Sequence, residues 1–280
     1  MTSATLAGAG ALLLWAFLAL LARSASGLPP LQLTTLGFAV GGLLALGVVA
    51  AQGRLKLLRQ GRLAWVHGVG GLFGYHALYF AALALAPPVE ANLLNYLWPL
   101  LIVLLSGPVL GLHLGPQRLA GVGFGFAGCV LLVGAGASFP AGAALGFACA
   151  LGCAVVWAVY SVTSKRMAAV PTEALAGFCL ATAVLAGVAH LAFETTVVPD
   201  ARQWASVLAL GAGPLGAAFF LWDAGMKRGD PRLLGTLAYA VPVASTLLLV
   251  VAGEGVLDWR TGAAAVLVVG GGILAATAKG

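Results

Sequence analysis

Glu90-Ala91-Asn92-Leu93-Leu94-Asn95-Tyr96-Leu97-Trp98-Pro99-Leu100, with the apolar run that carries it to Gly111, is a block with one charge, placed at its start. About 20 predominantly apolar residues suffice for a helix to cross the hydrocarbon core of a bilayer. Within the block Asn92, Asn95, Tyr96 and Pro99 follow i, i+3, i+4, i+7 spacing and share one helical face. A polar stripe on such a helix must face protein or a water-filled cavity, because lipid offers no hydrogen-bond partner. The block therefore predicts a transmembrane helix that walls a cavity. Further along, Gly235, Tyr239, Pro242 and Thr246 lay down an equivalent face in a second apolar block, with Ser245 beside it.

The rest of the 280 residues fits this reading. Hydrophobic residues make up 61% and charged residues 8%, too few to wet a soluble body, which carries about 25% charged residues. Ten apolar blocks fit, at 4–22, 31–51, 64–85, 90–111, 117–135, 141–163, 173–192, 203–222, 232–252 and 261–278. Short connectors hold the helix stops, such as Ser26-Gly27-Leu28-Pro29-Pro30 and Arg228-Gly229-Asp230-Pro231. No block shows the alternating pattern of barrel strands. The start, Met1 to Ala22, has no basic region and no cleavage signal and reads as a retained first helix. The net charge of +6 is spread thinly between apolar blocks, a topology signal rather than a nucleic-acid footprint. Cys129, Cys149, Cys153 and Cys179 lie in apolar stretches without a CxxC pair and read as small packing residues, so no metal or cofactor is expected.

Lys and Arg are retained on the cytoplasmic side of membrane proteins. With the N-terminus inside, the cytoplasmic connectors carry Arg54, Lys56, Arg59, Arg62, Arg118, Lys165, Arg166, Lys227, Arg228, Arg232 and Lys279. The opposite connectors carry only Arg23, Arg202 and Arg260. Ten spans then leave both termini cytoplasmic.

Shifting the chain by 142 or 143 residues superposes its halves. Gly10, Trp15 and Arg23 fall on Gly152, Trp157 and Lys165; Gly70, Tyr79, Pro88, Tyr96 and Pro99 fall on Gly213, Trp222, Pro231, Tyr239 and Pro242. Two five-span units, 1–140 and 141–280, follow. Five is odd, so the second copy enters the membrane upside down, the arrangement typical of secondary transporters. Two five-span halves, a Trp in the first helix of each (Leu14-Trp15-Ala16, Val156-Trp157-Ala158) and a mid-helix Pro in the fourth of each resemble the EamA type of the drug/metabolite transporter superfamily. The run from Glu90 to Leu100 is similar to the YddG-type aromatic amino acid exporters of bacterial inner membranes. The chain departs from the family's commoner Trp-Gly-Ser/Asn with Trp15-Ala16-Phe17. It also lacks an acid after Gly111, although Glu254 occupies that place in the second half. The resemblance implies an all-α polytopic fold of ten helices in two inverted repeats, and amino acid export.

The expected cavity lining extends beyond the two stripes. In the third span Leu72, Tyr75, His76 and Tyr79 form an aromatic-polar side, opposite Gly70, Gly71 and Gly74, which suit close helix packing. In the sixth, Trp157, Tyr160, Ser161 and Ser164 repeat the spacing. Rings and hydroxyls of this kind suit an amphiphilic solute, with ring faces for an ammonium group. The candidate binding residues are therefore Tyr75, His76, Tyr79, Asn92, Asn95, Tyr96, Trp98, Trp157, Tyr160, Ser161, Tyr239 and Ser245, although Trp98 lies off its helix's stripe. Trp65, Trp204, Trp222 and Trp259 read as interfacial anchors. Pro99 and Pro242 cannot donate to the carbonyl four residues back, so Asn95 and Ala238 are expected to keep free C=O groups at two hinges. His67 and His190 read as structural.

No Asp, Glu, Lys or Arg falls clearly in the middle of a span, leaving Glu90 and His76 as the candidates for proton coupling. No HExxH, GxSxG or paired histidine cluster is present, so no catalysis is expected. The expected function is an inner-membrane exporter of aromatic and other neutral amino acids, working by alternating access, with lipid as its surround. A monomer would suffice. Export of other small metabolites or cationic drugs, or a channel, remain alternatives at this stage.

Overall fold

The computed structural model describes residues 1–134, 140–253 and 258–278; Glu254 and Lys279 lie outside the described residues. Among the described residues, ten helices are long and apolar enough to cross a membrane. They are α1 Ser3–Ser24, α2 Pro30–Ala51, α3 Arg62–Leu85, α4 Pro88–Leu110, α5 Pro116–Val133, α6 Ala144–Ser164, α7 Thr172–Phe193, α8 Ala201–Arg228, α9 Pro231–Val251 and α10 Trp259–Thr277. No strand occurs among the described residues. Proline opens α2, α4, α5 and α9, where its missing N–H costs nothing. Asp200 and Asp258 cap α8 and α10 by accepting backbone N–H bonds.

The most extensive helix pairings are α5 with α10, α2 with α7, α3 with α6 and α1 with α8. Exchanging the halves maps each of the first two pairs onto itself and turns α3–α6 into α8–α1, so the packing carries the duplication read from the sequence. Glycines allow the approach. A Cβ on Gly121 would lie 2.6 Å from the Gly271 carbonyl oxygen, and one on Gly225 would lie 2.6 Å from the Gly8 Cα. Outer faces carry apolar side chains such as Leu13, Val66 and Leu191, as a lipid surround requires.

Both proline-bearing helices break at the repeat-related place: α4 at Tyr96–Leu97 and α9 at Ala238–Tyr239. The expected spare carbonyl at Ala238 is in fact taken, by the Val241 N–H at 3.0 Å, in a tightened turn that replaces the bond lost to Pro242. A π-helical turn, Gly213–Ala217, interrupts α8 around Pro214. The eighth span continues past residue 222, where the hydropathy reading stopped it, and ends at Arg228 before Gly229. Asp223 and Lys227 therefore lie inside a span, 4% and 8% exposed. The expected end of this span at residue 222 is thereby corrected, and its last turns carry two buried charges that the hydropathy pattern had placed outside it. The two charges sit one turn apart and neutralise each other at 2.8 Å, so the helix need not stop for them.

Candidate functional site

A cavity of about 550 Å³ lies among α1, α3, α4, α6, α8 and α9, with edge contributions from α2 and α5. Its walls include Ala19 and Ala22 in the last turns of α1, Leu83 at the end of α3 and Val133 at the end of α5. It thus reaches the face where those helices finish, opposite the N-terminus. Among the described residues, no Asp, Glu, Lys or Arg lines it.

Its floor is an indole cluster. Trp157 meets Trp15 at 5.7 Å and Trp98 at 6.4 Å between ring centroids, while Trp222 closes against Trp15 at 5.2 Å and Trp98 at 5.9 Å from below. Trp15 is held by its Nε1–H, which donates to the Pro214 carbonyl at 3.0 Å. One wall is polar and aromatic. Tyr75 and Tyr79 stack with an interplanar angle of 4°. The Tyr79 hydroxyl donates to the Asn92 side-chain oxygen at 2.6 Å, and the Asn95 amide donates to the Tyr75 hydroxyl at 3.2 Å. Cys153 donates to the Asn95 oxygen at 3.1 Å, so this wall is fixed across three helices. His76 Nδ1–H donates to the Leu72 carbonyl at 2.7 Å, and its ring stands edge-on to Phe38 and Tyr75.

On the opposite, N-terminal face the helices close. Arg118 reaches Asp230 at 3.3 Å, Arg232 pairs with the same carboxylate at 3.1 Å, and Arg232 also donates to the His113 carbonyl at 2.7 Å. The burial of Asp230 would raise its pKa, but hydrogen bonds and charge from Arg232, with Arg118, outweigh that and hold the carboxyl below its ordinary value. Lys165 donates to the Gly229 carbonyl at 2.7 Å, and Arg166 to that of Val109. A pocket of about 10 Å³, the room of a single water, lies on this side, lined by residues that include His67, Tyr160, Asp223 and Lys227.

Of the expected binding residues, the structure brings Tyr75, His76, Tyr79, Asn92, Asn95, Tyr96, Trp98, Trp157 and Ser245 to the cavity, with Pro242. Trp98 arrives although it lies off the stripe, because the break at Tyr96–Leu97 resets the helical phase ahead of it. Tyr160, Ser161 and Tyr239 do not line it. Tyr160 packs beneath the floor against Gly71, and Ser161 accepts the Trp222 Nε1–H at 3.0 Å. Tyr239 is fully buried; its hydroxyl accepts the Leu100 N–H at 3.2 Å, a donor orphaned by the α4 break. Pro99 is buried with its carbonyl against Gly235. Glu90 is buried, 3% exposed, and outside the lining. Trp222 is 1% exposed and no interfacial anchor, whereas Trp204 and Trp259 are exposed at helix ends. His67 bonds Thr163 at 2.9 Å, and His190 bonds Glu194, whose carboxylate accepts the Leu31 and Gln32 N–H groups at the start of α2.

The sequence reading passed over Trp15, Thr34 and Phe219, all of which line the cavity. The signal for two of them was present in the duplication: Trp15 is the repeat-mate of Trp157, and Phe219 that of His76.

Residues 2–134 and 144–277 each match the EamA-like transporter family. The chain belongs to that family. Both EamA-like copies start and end 142 or 143 residues apart, the offset that superposes the two broken helices. This EamA-like chain is 53% identical over 280 residues to the aromatic amino acid exporter YddG of Ancylobacter novellus, covering 98% of this chain and 97% of that one. A solved crystal structure with 53% identity superposes with a TM-score of 0.94, covering 98% of this chain and 96% of the other.

Proposed function

We propose that this protein exports aromatic and other neutral amino acids across the bacterial inner membrane, by alternating access, with both termini in the cytoplasm. The observation that carries this reading is the cavity itself: about 550 Å³, walled by indole and phenol rings, with two asparagine amides and, among the described residues, no Asp, Glu, Lys or Arg. Its size falls within the roughly 300–1,000 Å³ of small-molecule sites. Rings take an apolar side chain and attract an ammonium group, and the amides of Asn92 and Asn95 hydrogen-bond a head group. The lack of cationic residues disfavours phosphate-bearing cargo, and the lack of carboxylates disfavours cationic drugs. The name of the Ancylobacter protein supports the same cargo class.

With the cation-rich connectors inside, the open cavity faces outward and the closed side faces the cytoplasm. Tyr75, His76, Tyr79, Asn92, Asn95, Tyr96, Trp98 and Trp157 bind the solute, and the breaks ahead of Pro99 and Pro242 act as hinges. Two copies inserted in opposite senses reach the inward-open state by exchanging conformations. The protein works as a monomer and carries out no chemistry on its cargo. Counterflow of labelled Phe, Thr and Met in proteoliposomes tests the reading: saturable exchange is expected, and its absence for every amino acid overturns it. A rate unchanged by a pH gradient removes His76 and Glu90 as coupling groups. Tyr96→Ala and Trp157→Ala are each expected to cut exchange at least about tenfold, equivalent to ~1.4 kcal/mol of lost binding. Wild-type rates in both would make those rings packing residues only.

A further inference from the structure

The small pocket on the closed side is the repeat image of the open cavity. Leu18 and Leu33, shifted by 142 residues, become Tyr160 and Leu175; Phe80, shifted by 143, becomes Asp223; Leu210, shifted back by 143, becomes His67. The first member of each pair lines the cavity of about 550 Å³, and the second lines the pocket of about 10 Å³. The pocket is therefore the collapsed second half of one path. It differs from the open half in carrying both signs of charge. The mates of Asp223 and Lys227 are Phe80 and Ala84, which are neutral.

In the closed arrangement both charges are hydrogen-bonded. The Asp223 carboxylate accepts from Lys227 Nζ at 2.8 Å and from the Thr172 hydroxyl at 2.6 Å, and Lys227 donates again to the Val170 carbonyl at 2.8 Å. Val170 lies in the connector before α7 and Thr172 is the first residue of α7, while both charges ride on α8. Separating α7 from α8, as opening this half requires, takes two of these partners away. A carboxylate and an ammonium group then face the widened pocket with unmet hydrogen-bonding capacity. An amino acid zwitterion supplies the complementary pair.

We propose that Asp223 and Lys227 form a loading subsite on the N-terminal face, where Asp223 takes the α-ammonium and Lys227 the α-carboxylate of an amino acid. The inference rests on the amino acid export reading and adds an asymmetry to it. Head-group charge is read where cargo is loaded, while the opposite half, neutral at both matching positions, lets it go.

The test uses labelled phenylalanine uptake into inverted and right-side-out membrane vesicles. The competitors are unlabelled phenylalanine, phenylalanine amide (no carboxylate) and N-acetylphenylalanine (no ammonium). In inverted vesicles, where loading occurs from the N-terminal face, the wild type is expected to favour phenylalanine over each derivative by at least about tenfold. The double variant Asp223→Asn with Lys227→Gln removes both charges without stranding one, and is expected to bring both ratios within about twofold. Ratios in right-side-out vesicles stay at wild-type values and serve as the control for folding. If that variant does not fold, Asp223→Leu with Lys227→Met replaces the buried pair by apolar side chains of similar volume, again without stranding a charge, and is expected to bring both ratios within about twofold. Wild-type ratios in inverted vesicles of the variants, or equal changes on both faces, overturn the subsite. No uptake by the wild type from either face instead overturns the amino acid reading on which the subsite stands.

Discussion

Helices α4 and α9 are two copies of one design, broken at the same repeat position, yet their matching tyrosines do different work. Tyr96 stands in the open cavity, whereas Tyr239 is buried and its hydroxyl accepts the Leu100 N–H that the break in α4 frees. The same divergence runs through the molecule. Phe80 lines an open wall and its mate Asp223 is locked in an ion pair; Leu210 lines the cavity and its mate His67 lies in the closed pocket. A duplicated sequence places equivalent residues at equivalent depths, and some mates, such as Trp15 with Trp157 and His76 with Phe219, both line the cavity, whereas in the pairs named above only the first does. The lesson is that a repeat-mate is the residue to examine whenever one position is assigned a role in the path.

The largest expected effect breaks the Asp223–Phe80 comparison. Lys227→Ala leaves the Asp223 carboxylate buried without its cation and is expected to cost about 3–5 kcal/mol, read as a lower thermal midpoint in detergent. Ala84, the mate of Lys227, is exposed, and Ala84→Ser is expected to change the midpoint little. Next, Gly121 and Gly123 lie on opposite faces of α5. Gly121→Ala drives a methyl group into the Gly271 carbonyl and is expected to destabilise by about 1–3 kcal/mol, whereas Gly123, with open space around it, should tolerate alanine within about 0.5 kcal/mol.

Tyr239→Phe sharpens the tyrosine comparison. It strands the Leu100 N–H and is expected to cost about 1–3 kcal/mol of stability, while Tyr96→Phe should leave stability near wild type and alter transport instead. The smallest effect concerns the seal on the N-terminal face. The Asp230 carboxyl has a lowered folded-state pKa, so its contribution is fully present above the unfolded value of about 3.9 and is lost as pH falls through the folded value. A midpoint that drops on acidification below about pH 4 in the wild type, and less in Asp230→Asn, is the expected outcome.

Much of this was legible in the residues. Asn92, Asn95 and Tyr96 of α4 and Tyr75, His76 and Tyr79 of α3 lie where their helical period puts them, on the cavity wall, whereas Pro99, beyond the break in α4, is buried off it. Trp98 looked misplaced because that period breaks two residues earlier, an event that proline makes probable but does not locate. Ser161 and Tyr239 were drawn into the expected lining by the same periodicity; their hydroxyls turn instead to Trp222 and Leu100, partners distant in the chain. Asp223 was missed as an intramembrane charge because hydropathy averages each residue separately and does not register that Lys227, one turn on, cancels it.

The sequence by itself determined the membrane class, the number of spans and the duplication, because each follows from local hydrophobic transfer and from residues repeated at a fixed offset. Only the tertiary structure decided which half is open and which of each pair of mates faces the path. Those outcomes depend on contacts between residues far apart in the chain, such as the Arg118–Asp230 ion pair at one face and the Trp15–Trp157–Trp222 floor in the middle.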